Sequence, residues 1–505
     1  MPQSYIKRIL DARVYDVARE TPIDEARLLS KRFDNRILLK REDLQPVFSF
    51  KLRGAYNKMQ KLSQAELDKG VVAASAGNHA QGLAMSAHHM GVKATIVMPC
   101  TTPLIKVNAV KSYGAKVVMY GDTYDEAADH AQLLVKEKGL VYIHPYDDPD
   151  VIAGQGTIGM EIVRQHPEPI HAVFVPVGGG GLLAGIAAYI KYVRPEIKII
   201  GVEPEDAACL AAAMEKGRRV KLPHVGLFAD GVAVTQIGKE PFRVIRNTID
   251  GVITANTDEI CAAIKDIFED TRSIAEPAGA LALAGLKKYV VQHQLRGETL
   301  LAIDSGANTN FDRLRYISER TEIGEKREAI LSVTIPENPG SFKAFCSTLG
   351  KRNITEFNYR YADHRKAQIF VGIQVVPDNN DREQLVGGLS EKGYAVSDMT
   401  DNEMAKLHIR HMVGGHSPAE INDEVIYRFE FPERPGALLN FLSGLGQRWN
   451  ISMFHYRNHG AAYGRVLVGM QVAKGQRKEL EKSLRRLNFN FSEETDNLAY
   501  QQFLS

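Results

Sequence analysis

The sequence predicts an α/β protein with two parallel-sheet lobes, followed by two smaller α+β modules of ferredoxin-like order. The first part rests on strand-length apolar runs that alternate with helical segments of ten to fifteen residues up to about residue 320. Those runs are continuously apolar, as in parallel strands buried on both faces, and 320 residues exceed what one open sheet usually holds. The second part rests on three segments beyond residue 330 that recur in one register about 97 residues later.

In chain order, Ile37–Leu39 reads as a short strand and Ala55–Leu62 as the start of a helix. The strand Val71–Ala74 runs into Ser75-Ala76-Gly77-Asn78-His79 and the helix Ala80–Met90. Ala94–Met98, Lys116–Tyr120 and Val141–His144 read as strands, with helices at Thr102–Tyr113, Thr123–Lys138 and Ile152–Gln165. The strand Ala172–Val177, the helix Leu182–Val193 and the strand Lys198–Val202 continue the alternation. Ser318 to Glu328 is charged and nearly free of core residues, so 321–328 reads as a linker or exposed neck after a domain spanning 1–320.

Beyond the neck, Ile335-Pro336-Glu337-Asn338-Pro339-Gly340 recurs as Phe431-Pro432-Glu433-Arg434-Pro435-Gly436, 96 residues on (432 minus 336). Ile354 to Arg360 recurs as Ile451 to Arg457, and Val371 to Val375 as Val468 to Val472, both at an offset of 97. Each copy, 329–401 and 424–495, reads strand, helix, strand, strand, helix, strand.

Composition narrows the function. The chain is 44% apolar and 25% charged with a net charge of +2 and no basic block, which argues against a nucleic-acid partner. Four cysteines without CxxC spacing argue against a zinc site and a disulfide framework, and suit a reducing cytoplasm. The first twenty residues lack an apolar signal core, and windows such as 182–190 are too short to span a bilayer. A soluble cytoplasmic protein without a membrane partner is expected.

Three stretches bear on chemistry. In Ser49-Phe50-Lys51-Leu52-Arg53-Gly54-Ala55 the lysine reads either as a solvated amine or as one that condenses with an aldehyde cofactor, which requires partial burial to free the neutral amine. Val175-Pro176-Val177-Gly178-Gly179-Gly180-Gly181-Leu182 follows a strand and opens a helix, leaving uncovered N–H groups at a helix start, a ready site for a phosphate dianion. The spacing matches neither the Walker pattern nor GxGxxG with a downstream acid, so a cofactor monophosphate fits better than a nucleotide. Ser75 to His79 and Asp304-Ser305-Gly306-Ala307-Asn308 both sit at strand carboxyl ends, where open α/β sheets place ligands. The plainer alternatives are helix caps at Ser75 or Asn78, a core-filling His79 and a turn serine at 305.

Together with Glu276-Pro277-Ala278-Gly279-Ala280 and the doubled tail, these residues resemble the fold-type II pyridoxal-phosphate enzymes, the tryptophan synthase β-like family, and within it the biosynthetic threonine dehydratases (threonine deaminases). The resemblance covers essentially the whole chain. It implies that Lys51 holds pyridoxal 5'-phosphate as a Schiff base and acts on the substrate Cα. It further implies that Phe50 packs on the cofactor ring, Asn78 contacts its hydroxyl, Gly178, Gly179, Gly180, Gly181 and Leu182 hold the phosphate, and Ser305 meets the ring nitrogen. Ser75, Ala76, Gly77, Asn78 and His79 take the substrate carboxylate, and the backbone near Gly231 lines the site. The implied reaction is conversion of L-threonine, with L-serine as a further substrate, to the 2-oxo acid and ammonia.

In some members a segment after Gly-x-Glu-Pro surrounds a divalent cation with acids. Here Glu203 is present but Cys209 stands where a second acid is usual, so no divalent metal is expected, while a monovalent cation remains open. The resemblance makes the tail two ACT-like regulatory modules binding isoleucine as inhibitor and valine as antagonist, in a homotetramer. From the repeat, Phe342, Tyr359, Arg360, Tyr456 and Arg457 are the candidate effector residues. The alternative enzyme on this scaffold is a serine dehydratase or serine racemase, which lacks a reason for the tail.

Overall fold

The computed structural model describes all residues except 1, 351, 362–364, 378–379, 408, 412–422, 433–436, 446–448, 458–462, 488 and 505. Two compact units result, Met1–Thr321 and Glu322–Ser505.

The first unit contains two sheets. The larger runs Ile23–Glu25, Arg36–Arg41, Thr299–Asp304, Ala172–Pro176, Lys198–Pro204, Gly251–Ala255; every pairing is parallel except the first. The smaller runs Lys116–Met119, Ala94–Met98, Val71–Ala74, Val141–Tyr142 and is wholly parallel. Val71–Ala74 and Ala172–Pro176 are buried at every residue, which is why they read as unbroken apolar runs. Strand ends shift by one or two residues from the sequence reading. The larger difference is the helix Lys51–Gln60, which begins four residues earlier than expected, at the lysine itself.

The expected linker is also different. A continuous helix, Arg313–Gly324, takes up the first half of 321–328, and the next strand begins at Glu328. Ile317, Arg320 and Thr321 lie at i, i+3 and i+4 and are all buried. Because two of the three are polar, the face carries no apolar periodicity. Arg320 donates to Asp258 at 2.5 Å and Thr321 Oγ1 donates to the Ile317 carbonyl at 2.7 Å, so their burial leaves no donor unmet there.

The second unit has the expected element order twice over, and eight strands of its described residues form one antiparallel sheet. The copies join where Ile354–Arg360 pairs with Asn450–Arg457, in a register that sets Asn358 opposite His455. These are equivalent positions of the repeat, so a local two-fold passes between them. The repeated glycines now have a reason: a Cβ on Gly372 would stand 2.9 Å from Glu328 Oε1, and one on Gly469 2.9 Å from Glu424 Oε1. Each copy sets a buried glutamate close against the glycine of its neighbouring strand. Among the described residues no helix is long and apolar enough to cross a membrane.

Candidate active site

Lys51 opens its helix and lines a cleft in the first unit. Two glycines fix the approach of neighbouring helices to that first turn. A Cβ on Gly82 would stand 2.8 Å from the Leu52 nitrogen, and one on Gly154 2.6 Å from the Arg53 carbonyl oxygen. The lysine Nζ donates to the Pro145 carbonyl at 3.2 Å and lies 5.3 Å from the Phe50 ring centre. Burial pushes the amine down to about 8, with Glu276 opposing the shift.

The segment bearing Ser305 is stitched to the one bearing Lys51. The Phe50 N–H donates to the Ser305 carbonyl at 3.3 Å, and the Ala307 N–H to the Phe48 carbonyl at 2.9 Å. Ser305 Oγ donates to the Ala278 carbonyl at 3.2 Å and faces the same cleft.

The glycine run lies opposite. Gly180 has φ 89°, a left-handed conformation that favours glycine, and Gly181 begins the helix Gly181–Val193. A Cβ on Gly179 would fall 2.2 Å from the Tyr146 ring, so bare backbone is required where that ring lies over the loop. Gly231 also lines the cleft.

Asn78 opens the helix Asn78–Met90. Its Nδ2 donates to Glu276 Oε1 at 2.5 Å, and its Oδ1 accepts from Asn308 Nδ2 at 2.7 Å. Gly77, the preceding residue, has open space where a Cβ would project. Ser75 Oγ accepts from the Gly77 N–H at 3.2 Å. The His79 side chain belongs to the core: it is buried, its Nε2 lies 2.8 Å from the Ile143 carbonyl, and burial with the Lys51 charge pushes it down to about 3. Only its backbone N–H remains to act at the helix start.

The cleft therefore brings together Phe50, Lys51, Asn78, Gly178 to Leu182, Gly231 and Ser305, whereas Ser75, Ala76, Gly77 and His79 are not among the residues lining it. The lining residues without a predicted role include Tyr146, Gln155 and Glu276. Glu276 is buried, and burial followed by the Asp230 charge pushes its carboxyl up to about 7. Its signal was present, an acid before a helix-opening proline, but that pattern reads equally as a helix cap.

Glu203 is engaged at a helix start. Its carboxylate accepts from the Leu210 and Ala211 N–H groups at 2.7 and 2.8 Å, capping the helix Cys209–Lys216. Among the described residues no group of three or more His, Cys, Asp or Glu side chains is placed to hold a metal ion. In the second unit, Phe342 and Tyr359 are core residues in edge contact at 4.7 Å, and Tyr359 donates to Glu337 at 2.5 Å. Arg360 is bound to Glu424 at 2.7 Å and to the Leu504 carbonyl at 2.6 Å. Tyr456 is buried, and the side chain of Arg457 lies outside the described residues.

A buried amine of lowered basicity, sharing a cleft with a glycine loop that no side chain can occupy at the start of a long helix, suits an aldehyde cofactor with one phosphate. On this two-lobed scaffold it defines a pyridoxal-phosphate-dependent enzyme of fold-type II. A model of the pyridoxal-phosphate dependent enzyme family matches residues 14–306, and one of the C-terminal regulatory domain of threonine dehydratase matches twice, at 319–409 and 415–504. The L-threonine dehydratase biosynthetic IlvA of Burkholderia multivorans is 56% identical over 504 residues, covering 99% of each chain. Among solved structures, the processed form of threonine deaminase isoform 2 from Solanum lycopersicum matches with a TM-score of 0.63 at 51% identity, covering 64% of this chain and 88% of that one. Maize serine racemase matches with a TM-score of 0.58 at 31% identity, covering 62% and 95%. The chain belongs to the biosynthetic threonine dehydratase family.

Proposed function

We propose that this chain converts L-threonine to 2-oxobutanoate and ammonia in the cytoplasm, as a homotetramer inhibited by isoleucine with valine as antagonist, at the first committed step of isoleucine formation. The observation that carries the catalytic reading is that Lys51, buried and of lowered basicity, and the Gly178–Gly181 loop line one cleft.

Bound pyridoxal phosphate supplies an electron sink for charge developing at Cα. The chain supplies the rest. Gly178 to Gly181 and Leu182 hold the phosphate with backbone N–H groups at a helix start, and Phe50 packs against the ring. Asn78 donates to the ring hydroxyl, with Glu276 and Asn308 fixing its amide orientation. Ser305 meets the ring nitrogen with a hydroxyl, which unlike a carboxylate does not hold that nitrogen protonated. Ser75 to Gly77, with the Asn78 and His79 N–H groups at the start of their helix, orient the substrate carboxylate, and the backbone near Gly231 closes the other side. Lys51, once free, removes the Cα proton, and water leaves from Cβ. Hydrolysis of the released enamine gives the 2-oxo acid and ammonia.

Threonine and serine differ by one methyl group, worth only about 1–3 kcal/mol in a pocket, so L-serine is a weaker substrate rather than an excluded one. Regulation requires isoleucine to bind the less active state more tightly than the active one. Phe342, Tyr359, Arg360, Tyr456 and Arg457 remain the proposed effector contacts. The decisive assay measures 2-oxo acid release from threonine and serine, with isoleucine alone and with isoleucine plus valine. Threonine turnover that isoleucine leaves unchanged removes the regulatory part; no turnover removes the catalytic part.

A pH prediction follows from the burial of Lys51. Capture of the aldehyde by the cofactor-free protein requires the neutral amine, whose population rises as pH passes the folded pKa. The capture rate is expected to climb with a midpoint near 8, rather than near the ~10.4 of a free lysine. Stopped-flow absorbance across pH 6 to 11 reads it, and a midpoint above 10 contradicts it.

A further inference from the structure

The segment from Ile143 to Asp148 joins the short strand Val141–Tyr142 to the helix Pro149–Gln165, and no role has been attached to its histidine. His144 Nδ1 accepts two backbone N–H groups, from Tyr146 at 3.2 Å and from Asp147 at 2.8 Å. Side-chain acceptance from residues two and three further on is the geometry by which Asn and Asp close tight turns; here an imidazole does it. The ring nitrogen must therefore carry a lone pair, which fixes the neutral tautomer with its proton on Nε2. Burial holds the imidazole below its ordinary range and keeps that lone pair available; Asp147 and Asp148 pull the other way, and Lys51 adds to the lowering.

What the turn presents is specific. The carbonyl between the histidine and the two bound N–H groups is that of Pro145, the acceptor for Lys51 Nζ at 3.2 Å. The next side chain is Tyr146, whose ring lies over Gly179 and meets the His144 ring edge-on at 4.7 Å. Asp147 then caps a helix start, accepting from the Lys239 and Glu240 N–H groups at 2.8 Å each, and Asp148 caps Pro149–Gln165. The C-terminal side of the turn is thus anchored through two carboxylates and the N-terminal side through backbone pairing with Val71–Ala74, and the imidazole closes the turn between them.

We propose that His144 is a positioning residue for this site: its Nδ1 closes the turn that aims the Pro145 carbonyl at Lys51 and lays the Tyr146 ring across the glycine loop. The inference rests on the reading of Lys51 as the cofactor-binding amine. It acts on the amine before any substrate is present, so it can be tested without one.

The experiment compares His144→Asn with His144→Gln in the full-length protein. The Asn amide oxygen stands where Nδ1 stood, whereas the Gln amide reaches the position of Nε2. The two are similarly polar, and rates are normalised to the folded fraction by circular dichroism. Pyridoxal phosphate capture by the cofactor-free protein is followed by absorbance, and threonine turnover afterwards. Misplacement by about 1 Å costs up to about 10²-fold, so Gln is expected to slow capture and to lower kcat by about 30-fold or more with KM within about threefold. Asn is expected to stay within about threefold of wild type in both. Equal behaviour of the two variants, whether both active or both impaired, overturns the inference. Wild-type protein that captures cofactor but leaves threonine intact defeats the substrate reading alone, because the contrast in capture is read without threonine.

Discussion

Replacing Lys51 by alanine is expected to lower threonine turnover by about 10⁴-fold or more. Two functions disappear with one amine. The covalent tie to the aldehyde is lost, so the cofactor is held only through the glycine loop and ring contacts. The base that removes the Cα proton is lost as well, and base catalysis alone is worth about 10²–10⁴-fold. Water is a poor replacement, and Glu276, whose charge acts on Lys51, already bonds to Asn78. The structure also separates chemistry from folding here. The Lys51 amine makes a single bond, to a carbonyl, and the glycine contacts that clamp its helix run through backbone atoms, so alanine leaves them intact. Stability is therefore expected to change little while activity collapses. Borohydride reduction followed by peptide mass analysis provides the second readout: wild-type protein carries the cofactor mass on the peptide containing Lys51, and the variant carries none. Residual turnover above about one hundredth of wild type, or cofactor mass on another lysine, places the reacting amine elsewhere.

The parts of this architecture that the sequence exposes are those where one physical requirement dominates a local stretch. Val71–Ala74 and Ala172–Pro176 are covered on both faces, and nothing but apolar residues satisfies that. The glycine run is legible because Gly179 meets an aromatic ring and Gly180 has positive φ, constraints that side chains cannot meet. What stays hidden depends on partners distant in the chain. Nothing local announces that the helix starts at Lys51, since Phe50 provides no side-chain cap. The helix Arg313–Gly324 hides because its buried face uses Arg320 and Thr321, which are tolerated only through Asp258 and a carbonyl of its own preceding turn. Glu276 meets Asn78 across 198 residues. Likewise, the repeat offset reveals two copies but not their pairing; that Asn358 faces His455 follows from the register of the strands that join the copies at the middle of the sheet, which periodicity does not encode.

Arg53, two residues past the reactive lysine, should prove the costliest single loss to stability in the first unit. Its side chain is fully buried with those of Glu42, Glu161 and Lys40. The guanidinium donates to Glu42 at 2.8 and 2.7 Å, to Glu161 at 2.6 and 3.1 Å, and to Thr157 Oγ1 and the Arg19 carbonyl, both at 3.1 Å. Lys40 donates to the other side of Glu161 at 2.6 Å. Two positive and two negative groups cancel, and the cluster binds the lysine helix to the strand end at Glu42 and the helix Pro149–Gln165. Such a cluster contributes little relative to an apolar core, yet removing one member strands the others in low dielectric at about 3–5 kcal/mol. Arg53→Met, which keeps much of the volume, is expected to lower the first thermal transition by about 5 °C. Arg53→Lys is no rescue, because an ammonium cannot span both carboxylates. The pH dependence identifies the cause. In wild type, burial alone raises the Glu42 carboxyl and the guanidinium overcomes it, so the group sits below its ordinary range and its contribution is lost only as pH falls through that lowered value. Without Arg53 the burial effect prevails and the carboxyl rises above its unfolded value. The folded variant is then stable where the carboxyl is protonated and loses stability as pH rises. The gap between wild type and variant should accordingly be widest at pH 7–8 and narrow toward pH 5, and adding Glu42→Gln to the variant should recover part of the loss at pH 8. A gap that is flat with pH, or unaffected by the second substitution, would mean that lost packing rather than a stranded charge accounts for the destabilisation.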